Sequence, residues 1–519
     1  MIEFWRQYVS VTVLTGAWSH FQIYVMYAWT VMLPRALGAG VFYSFRPAKP
    51  TKLTVQYGLA LILALVLFIV PTVFWAKELI SGWYVLAGVV VGMLLVAPPV
   101  RRRIIRFTFQ STYYAKHVRI VPQEGPVCAQ RMVAMMTIFD EDPDFLDRSL
   151  RNIRRSLGAA PGDFVLIAII DGYGNFQHAE AAIPVAKRHC DIVMTTNAQK
   201  KRAGLEAMGL EAYSRGLITT GEEIIHLIDS DTKPASDQVA SELNRPFADQ
   251  TIGGVTTAQY IDNPQSFAQH VMQIFETIRN FGSQAFMSLF GSIGCLPGRW
   301  YAVRAKYLTK EVFHDLNSHS FSWFGLFRHI SKAGDDRHIT EAVLKAGGKT
   351  ILAPDAVVFT GAPYHFNDMR KMVTRWARSS NGYTFRAWWL FRPAHWATAF
   401  VYWGNIGLAF GTVYIVFPYL LYQFFFGDRD ILLIEAALFM FLSMAMTMTF
   451  RFIPVWSRQL YYLLYMPVMG FVGIFMQVIQ VVGIVTHVHK IGNWDTRGAD
   501  VGAKDIKPMC KVIYVRPTT

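Results

Sequence analysis

Ile224-Ile-His-Leu-Ile228, followed at once by Asp229-Ser230-Asp231-Thr232, is a short apolar run that stops on two carboxylates one residue apart. A run of this length, rich in β-branched residues and ending on turn-forming ones, predicts a strand buried on both faces. Two further runs have the same form: Met132-Val-Ala-Met-Met-Thr-Ile138, with Glu141 and Asp142 just beyond it, and Phe164-Val-Leu-Ile-Ala-Ile-Ile170, which ends on Asp171-Gly172. Helical patterns separate them, so a mostly parallel sheet covered by helices on both faces is expected. Ligands of such sheets bind beyond the carboxyl ends of the strands. All three runs deliver acids to that edge.

The surroundings of this segment are of another kind. The chain has 519 residues, 53% of them hydrophobic and only 17% charged, and the apolar excess lies toward both ends. Leu53 to Trp75 and Trp83 to Val100 are long enough to span a bilayer as helices, with a break at Lys77-Glu78 that makes them an antiparallel pair. Val11 to Leu33 is a weaker candidate, interrupted by His20 and Gln22. Ala397 to Phe426 and Ile431 to Phe450 are two further spans, and Leu460 to Val485 is a last apolar stretch before a polar tail. Arg101, Arg102 and Arg103 close the early pair, which places the following segment on the cytoplasmic side of a plasma (inner) membrane. The net charge of +14 is concentrated at such flanks and is read as membrane topology, with no nucleic-acid partner.

The expected organisation is therefore N-terminal transmembrane helices over 1–105, a basic interfacial linker over 106–124 and an α/β domain over 125–363. Interfacial amphipathic helices follow over 364–395, where Arg370, Lys371, Arg375, Arg378 and Arg386 alternate with Trp376, Trp388 and Trp389. Transmembrane helices over 396–456 and an interfacial or membrane segment with a polar tail over 457–519 complete it. Four scattered cysteines give neither a zinc site nor a disulfide framework, and the first residues lack the pattern of a removable signal peptide.

Asp229 and Asp231 could hold a divalent cation, which would neutralise a diphosphate. Taken alone, Asp-Ser-Asp is a weak signal, and a turn or capping role is the favoured reading. Lys201-Arg202 opens a predicted helix after Asn197 and could meet phosphate or base groups. Gly334-Asp335-Asp336-Arg337-His338 offers paired carboxylates beside a cation, either a general base or the acidic first turn of a helix.

In their order, these elements resemble the processive inverting family 2 glycosyltransferases, namely the hyaluronan, chitin and cellulose synthases. Gly334-Asp-Asp-Arg-His-Ile-Thr340, Leu463-Leu-Tyr-Met466 and Asn493-Trp-Asp-Thr-Arg-Gly498 are most similar to hyaluronan synthases. Met372-Val-Thr-Arg375-Trp376 lacks the glutamine that usually opens its motif, and Gly294-Cys-Leu-Pro-Gly-Arg-Trp-Tyr-Ala-Val-Arg304 looks more like the polymerising subunit of bacterial alginate synthesis. The resemblance implies a GT-A-like, Rossmann-like cytoplasmic domain inserted between transmembrane helices. It implies that Glu141 and Asp171 hold the uridine of a UDP-sugar or other nucleotide-sugar donor, with Lys201 and Arg202 nearby. Asp229 and Asp231 would contact the donor, with Asp231 on a Mg2+ or Mn2+ ion. Asp336 would be the base, and Asp335 would shape the helix start or position Arg337. Arg375 would contact the diphosphate, and Trp376 the acceptor sugar, with Cys295 in the acceptor region. Trp494, Thr496 and Arg497 would close over the donor phosphates.

The function so implied is polymerisation of a sugar with inversion, coupled to export of an extracellular or capsular polysaccharide through the bilayer. In those relatives the segment that Leu463–Met466 and Asn493–Gly498 resemble is a C-terminal gate with further spans after it, so Leu460 to Val485 is expected to be interfacial and a second subunit to complete the pore. A non-processive enzyme with a lipid acceptor would use the same donor residues. A transporter with a ligand-binding insert would not need Asp336 and Arg375 together with the acidic motif.

Overall fold

The computed structural model describes residues 130–172, 177–197, 201–318, 320–323, 327–330, 334–410, 466–490 and 510–516. The chain divides into two compact units, Arg119–Leu433 with Ile474–Thr519, and Met1–Val118 with Ile434–Gly473. The second of these is described only at residues 466–473. The expected spans at Val11–Leu33, Leu53–Trp75, Trp83–Val100 and Ile431–Phe450 lie outside the described residues. Among those described, no helix is long and apolar enough to cross a membrane.

The first unit is built on one nine-stranded sheet in the order β11-β3-β2-β1-β4-β7-β6-β10-β5. Its strands are β1 (Met132–Ile138), β2 (Phe164–Asp171), β3 (Ile192–Thr196), β4 (Ile224–Asp229), β5 (Lys233–Pro234), β6 (Ile252–Ile261), β7 (Trp300–Arg304), β10 (Lys349–Thr360) and β11 (Cys510–Val515). A separate hairpin pairs β8 (Ser320–Trp323) with β9 (Phe327–Ile330). The helices that bear on the site are α1 (Pro143–Ala159), α2 (Gln177–His189), α3 (Lys201–Ser214), α4 (Phe267–Ile278), α5 (Lys310–Ser318), α6 (Asp335–Lys345), α7 (Phe366–Arg386), α8 (Trp396–Phe410) and α9 (Met466–Lys490).

The three apolar runs form β1, β2 and β4, parallel and adjacent, as their composition requires. Side chains alternate across a strand, so one run feeds two cores. Val133 and Met135 join the core under α3, α5 and α6, with Leu205, Met208, Phe313 and Ile339. Met132, Ala134 and Met136 join the opposite core under α1 and α2, with Leu146, Leu150, Ile153 and Ala182. The apolar positions of α1 recur at helical spacing, and Asp142 caps its start by accepting a hydrogen bond from the Phe145 amide at 2.9 Å.

The sheet is less parallel than its three leading runs imply. β7 runs antiparallel to both β4 and β6, and β11 and β5 are antiparallel additions at the two edges. Composition gives no strand direction, since a strand buried on both faces looks alike either way round. The reversal of β7 matters for function. An antiparallel strand begins where its parallel neighbours end, so the loop before it arrives at the acidic edge.

Behind that edge, His226 of β4 is fully buried between Trp300 and Asn244. The Trp300 indole N–H donates to Nδ1 at 3.0 Å, and Nε2 lies 3.0 Å from Asn244 Oδ1, which assigns the neutral tautomer with its proton on Nε2. Burial lowers the imidazole pKa from 6.5 to about 4. Between those two values the unfolded chain binds the extra proton and the folded chain does not, so stability falls as pH falls through that window. The loss should reach about 3 kcal/mol. Denaturant unfolding at pH 7 and pH 4.5 measures it, and His226→Gln should flatten the pH dependence. An identical slope in the variant would remove His226 from the account.

Candidate active site

The acids expected on one edge do converge there, each through a definite element. Asp229 ends β4 opposite Thr137 of β1, and Glu141 follows β1. The Ser230 hydroxyl donates to Glu141 Oε1, while Glu141 Oε2 accepts from the Phe139 amide at 2.7 Å. Glu141 is thereby fixed against the Asp-Ser-Asp turn. Its neighbour Asp142 serves α1 as the cap described above, so the acidic pair splits into one site residue and one structural one. Asp171 ends β2 and is buried. The adjacent Gly172 turns the chain with φ 78°, in the left-handed region that favours glycine.

The helix after a parallel strand starts at the carboxyl edge, as α3 does after β3, and α6, which follows the β8–β9 hairpin and leads into β10, starts at the same edge. Lys201, the first residue of α3, makes ion pairs with Asp229 Oδ1 at 2.6 Å and with Asp335 Oδ2 at 2.9 Å. Burial opposes its charge, but the two carboxylates outweigh burial and raise its pKa. Burial likewise pushes the Asp335 carboxyl up, and Lys201 outweighs it, so Asp335 is held below its usual range. Lys201 therefore joins the two acidic motifs that the sequence separates. Asp335, expected to shape the helix start or position Arg337, stands in the first turn of α6 and is also half of that link. Arg202 points elsewhere in this cluster: it is buried and donates to the Leu316 carbonyl of α5 at 3.1 Å.

Gly334 precedes α6 with φ 86°, and a Cβ there would lie 2.4 Å from Ser379 Oγ of α7. Only glycine allows that approach. The turn sets Asp336 at the helix start, half-buried, where Oδ1 accepts from the Arg337 amide at 2.8 Å and Oδ2 from the Cys295 thiol at 3.2 Å. Burial, reinforced by Asp336, pushes the Cys295 thiol up and keeps it protonated as a donor. Arg337 leaves the acids and packs among aromatics. Its guanidinium carbon lies 5.4 Å from the Tyr402 ring centre and 5.9 Å from that of Tyr383, tying α6 to α7 and α8.

Sequence reasoning did not single out Arg299 or Thr360. Thr360 ends β10 at the same edge, and its hydroxyl donates to Asp231 Oδ2 at 3.1 Å. Arg299 directly precedes β7; its carbonyl receives the Asp229 amide at 2.8 Å, and its guanidinium carbon stands 5.3 Å from the Trp376 ring centre. Trp376 and Arg375 lie on α7, both half-buried. The available signal was an arginine directly before an apolar run, legible only once the direction of that strand is known. Trp494, Thr496 and Arg497 lie outside the described residues.

Oxygen donors suit Mg2+ and Mn2+, and Mg2+ in particular is held by one or two carboxylates with substrate phosphates completing the shell. Asp231, with Asp229, fits that sparse pattern. Among the described residues no group of three or more His, Cys, Asp and Glu side chains is placed to hold a metal by itself.

A family model described as glycosyl transferase family group 2 matches residues 224–474, from β4 onward. Among curated proteins, the chain is 28% identical over 282 residues to an N-acetylglucosaminyltransferase of Rhizobium meliloti (strain 1021), covering 51% of this chain and 61% of that protein. It is 27% identical over 169 residues to chitin synthase 6 of Mycosarcoma maydis, covering 30% of this chain and 14% of that one. The chain thus spans less than two thirds of the length of either relative. Among solved structures, the mannosyltransferase PcManGT from Pyrobaculum calidifontis, in complex with GDP-Man and Mn2+, matches with a TM-score of 0.47 at 15% identity, over 76% of this chain and 99% of that one. The matched region is similar to family 2 glycosyltransferase domains. Its relatives are of the N-acetylglucosaminyltransferase and chitin synthase kind, with no sign that narrows the likeness to hyaluronan or alginate synthesis.

Proposed function

We propose that the chain is a membrane-embedded processive glycosyltransferase with a GT-A-like domain, adding sugars from a nucleotide-sugar donor to a growing polysaccharide with inversion. The observation that carries this reading is the Lys201 link, which sets the Asp229–Asp231 pair and the Asp335–Asp336 pair side by side. Donor and base chemistry then share one cleft. The acceptor hydroxyl attacks the anomeric carbon, its proton passes to Asp336, and the bond to the diphosphate breaks with its electrons leaving on the nucleoside diphosphate. The Arg337 amide and the Cys295 thiol both donate to Asp336 and hold its carboxylate in place at the start of α6, where a general base can meet the acceptor hydroxyl. A single carboxylate base without a second, nucleophilic one gives one displacement and inversion.

A divalent ion on Asp231 and Asp229 would supply charge neutralisation at the diphosphate. Lys201 would hold Asp229 in place for it, while Glu141 and Asp171, at the ends of β1 and β2, would receive the nucleoside. Arg375 and Trp376 present a cation and a flat apolar face from α7, suited to a phosphate and a pyranose ring.

Membrane placement is supported by the exposed aromatics Phe391, Trp396 and Phe400 around the start of α8, and by Val478, Val482 and Val485, exposed at helical spacing along α9. α9 also packs on α7: the Gln480 amide donates to Asn381 Oδ1 at 2.6 Å, and Arg378 Nε to Thr486 Oγ1 at 2.8 Å. The catalytic domain would face the cytoplasm, with a second subunit aiding export.

Sealed vesicles test the whole reading. Inside-out vesicles given a panel of nucleotide sugars, beginning with UDP-N-acetylglucosamine because of the relatives' names, should release nucleoside diphosphate and build a product long enough to resolve on a gel. Excess chelator should abolish release, and Mg2+ or Mn2+ should restore it. Right-side-out vesicles should be inactive. Full turnover in chelator removes the metal, activity in right-side-out vesicles reverses the topology, and a product extended by a single sugar on lipid replaces polymerisation.

A further inference from the structure

We propose that Arg299 is a further substrate-binding residue, whose guanidinium takes the diphosphate oxygens of the nucleoside diphosphate at the Asp229–Asp231 site. This rests on the functional reading above and adds to it a residue that the acidic motifs do not name.

The side chain of Arg299 is only 13% exposed, yet its hydrogen bonding is incomplete. Nε donates to Thr360 Oγ1 at 3.3 Å, and that hydroxyl in turn donates to Asp231. The closest carboxylate to its terminal nitrogens, Glu276, stands at 3.9 Å, beyond hydrogen-bond distance, and is itself ion-paired with Arg279. Among the described residues, the terminal N–H groups of Arg299 therefore meet no hydrogen-bond acceptor. Burial works against the guanidinium charge, and Glu276, Asp231, Asp229 and Asp336 together outweigh it, so the charge is firmly held. A largely enclosed guanidinium whose outer donors still face open space can take an anion there, and its planar fork matches phosphate oxygens in pairs.

Position selects the anion. Arg299 is joined through Thr360 to the carboxylate assigned to the cation, and it adjoins Asp229 along the backbone. Its guanidinium also lies beside Trp376, so it stands between the diphosphate end of the site and the sugar platform. Gly298, directly before it, keeps the approach clear: a Cβ there would come within 3.2 Å of Lys201 Nζ and 3.3 Å of Asp229 Oδ2. Charge that develops on the leaving diphosphate would fall within reach of the fork, where preorganised donors act most strongly.

The alternative is that Arg299 only braces β7 against Trp376 of α7, and two probes separate the cases. The purified full chain in Mg2+ is titrated with UDP and with uridine, for wild type, Arg299→Lys and Arg299→Gln. Arg299→Gln should weaken UDP by at least about tenfold and leave uridine unchanged, since a charge-assisted pair is lost. Arg299→Lys, which keeps the charge and loses the fork, should fall between. Unchanged UDP affinity in Arg299→Gln, or an equal loss for UDP and uridine in both variants, overturns the proposal. If wild type binds neither UDP nor GDP or CDP tested alongside, the functional reading itself fails, and this inference with it.

Discussion

Replacing Asp336 with asparagine is expected to lower the initial rate of nucleoside diphosphate release by at least about 10²-fold, with donor affinity close to that of the native chain. Asparagine keeps the size of the side chain and can still accept from the Arg337 amide, but it cannot take a proton. Donor affinity is spared because the metal, nucleoside and diphosphate contacts fall to other residues. The Cys295 thiol offers an internal control. It donates to the same carboxylate at 3.2 Å, so Cys295→Ala should change the rate far less than Asp336→Asn. Near-native turnover in Asp336→Asn would show that another carboxylate is the base.

Lys201→Met should be the most damaging change to the architecture. It removes the cation that stands 2.6 Å from Asp229 and 2.9 Å from Asp335, and leaves two enclosed carboxylates facing each other. Breaking a buried pair from one side costs several kcal/mol, and the partial exposure of these groups favours the lower end, about 3 kcal/mol. Asp335→Asn in the Lys201→Met background should return part of that stability, because it removes one of the stranded charges. Denaturant midpoints for the single and double variants measure both effects. A Lys201→Met chain within about 0.5 kcal/mol of native would mean that the link is incidental.

The contrast between these two residues shows what a sequence can disclose. Asp336 stands in a short motif with a glycine before it, and both the helix start and the need for that glycine follow from local chemistry. β1, β2 and β4 were equally plain, since long-buried parallel strands have a composition of their own. Lys201 was visible as a cation at a helix start, but its two partners lie 28 and 134 positions away, and no local pattern encodes such a meeting. Arg299 was hidden for a different reason. Its importance depends on the reversed direction of β7, which is settled by how β4 and β6 pair on either side of it. Asp142 erred the other way: an acid beside Glu141 looked like part of the site, whereas helix capping claimed it.

The placement of β11 bears on how the protein is made. Its antiparallel pairing with β3, from Cys510 opposite Thr196 to Val515 opposite Ile192, joins parts of the chain more than 300 residues apart, and Arg516 adds an ion pair to Asp191 at 3.4 Å. The opposite margin of the sheet is blunted early, by the two-residue β5 with its proline. The β3 margin has no such protection until β11 has left the ribosome, after every other described element. During synthesis the nascent domain carries a bare row of backbone donors and acceptors, open to pairing with a neighbouring chain. A chain cut back before Cys510 would keep that hazard permanently, because the closing strand would never arrive.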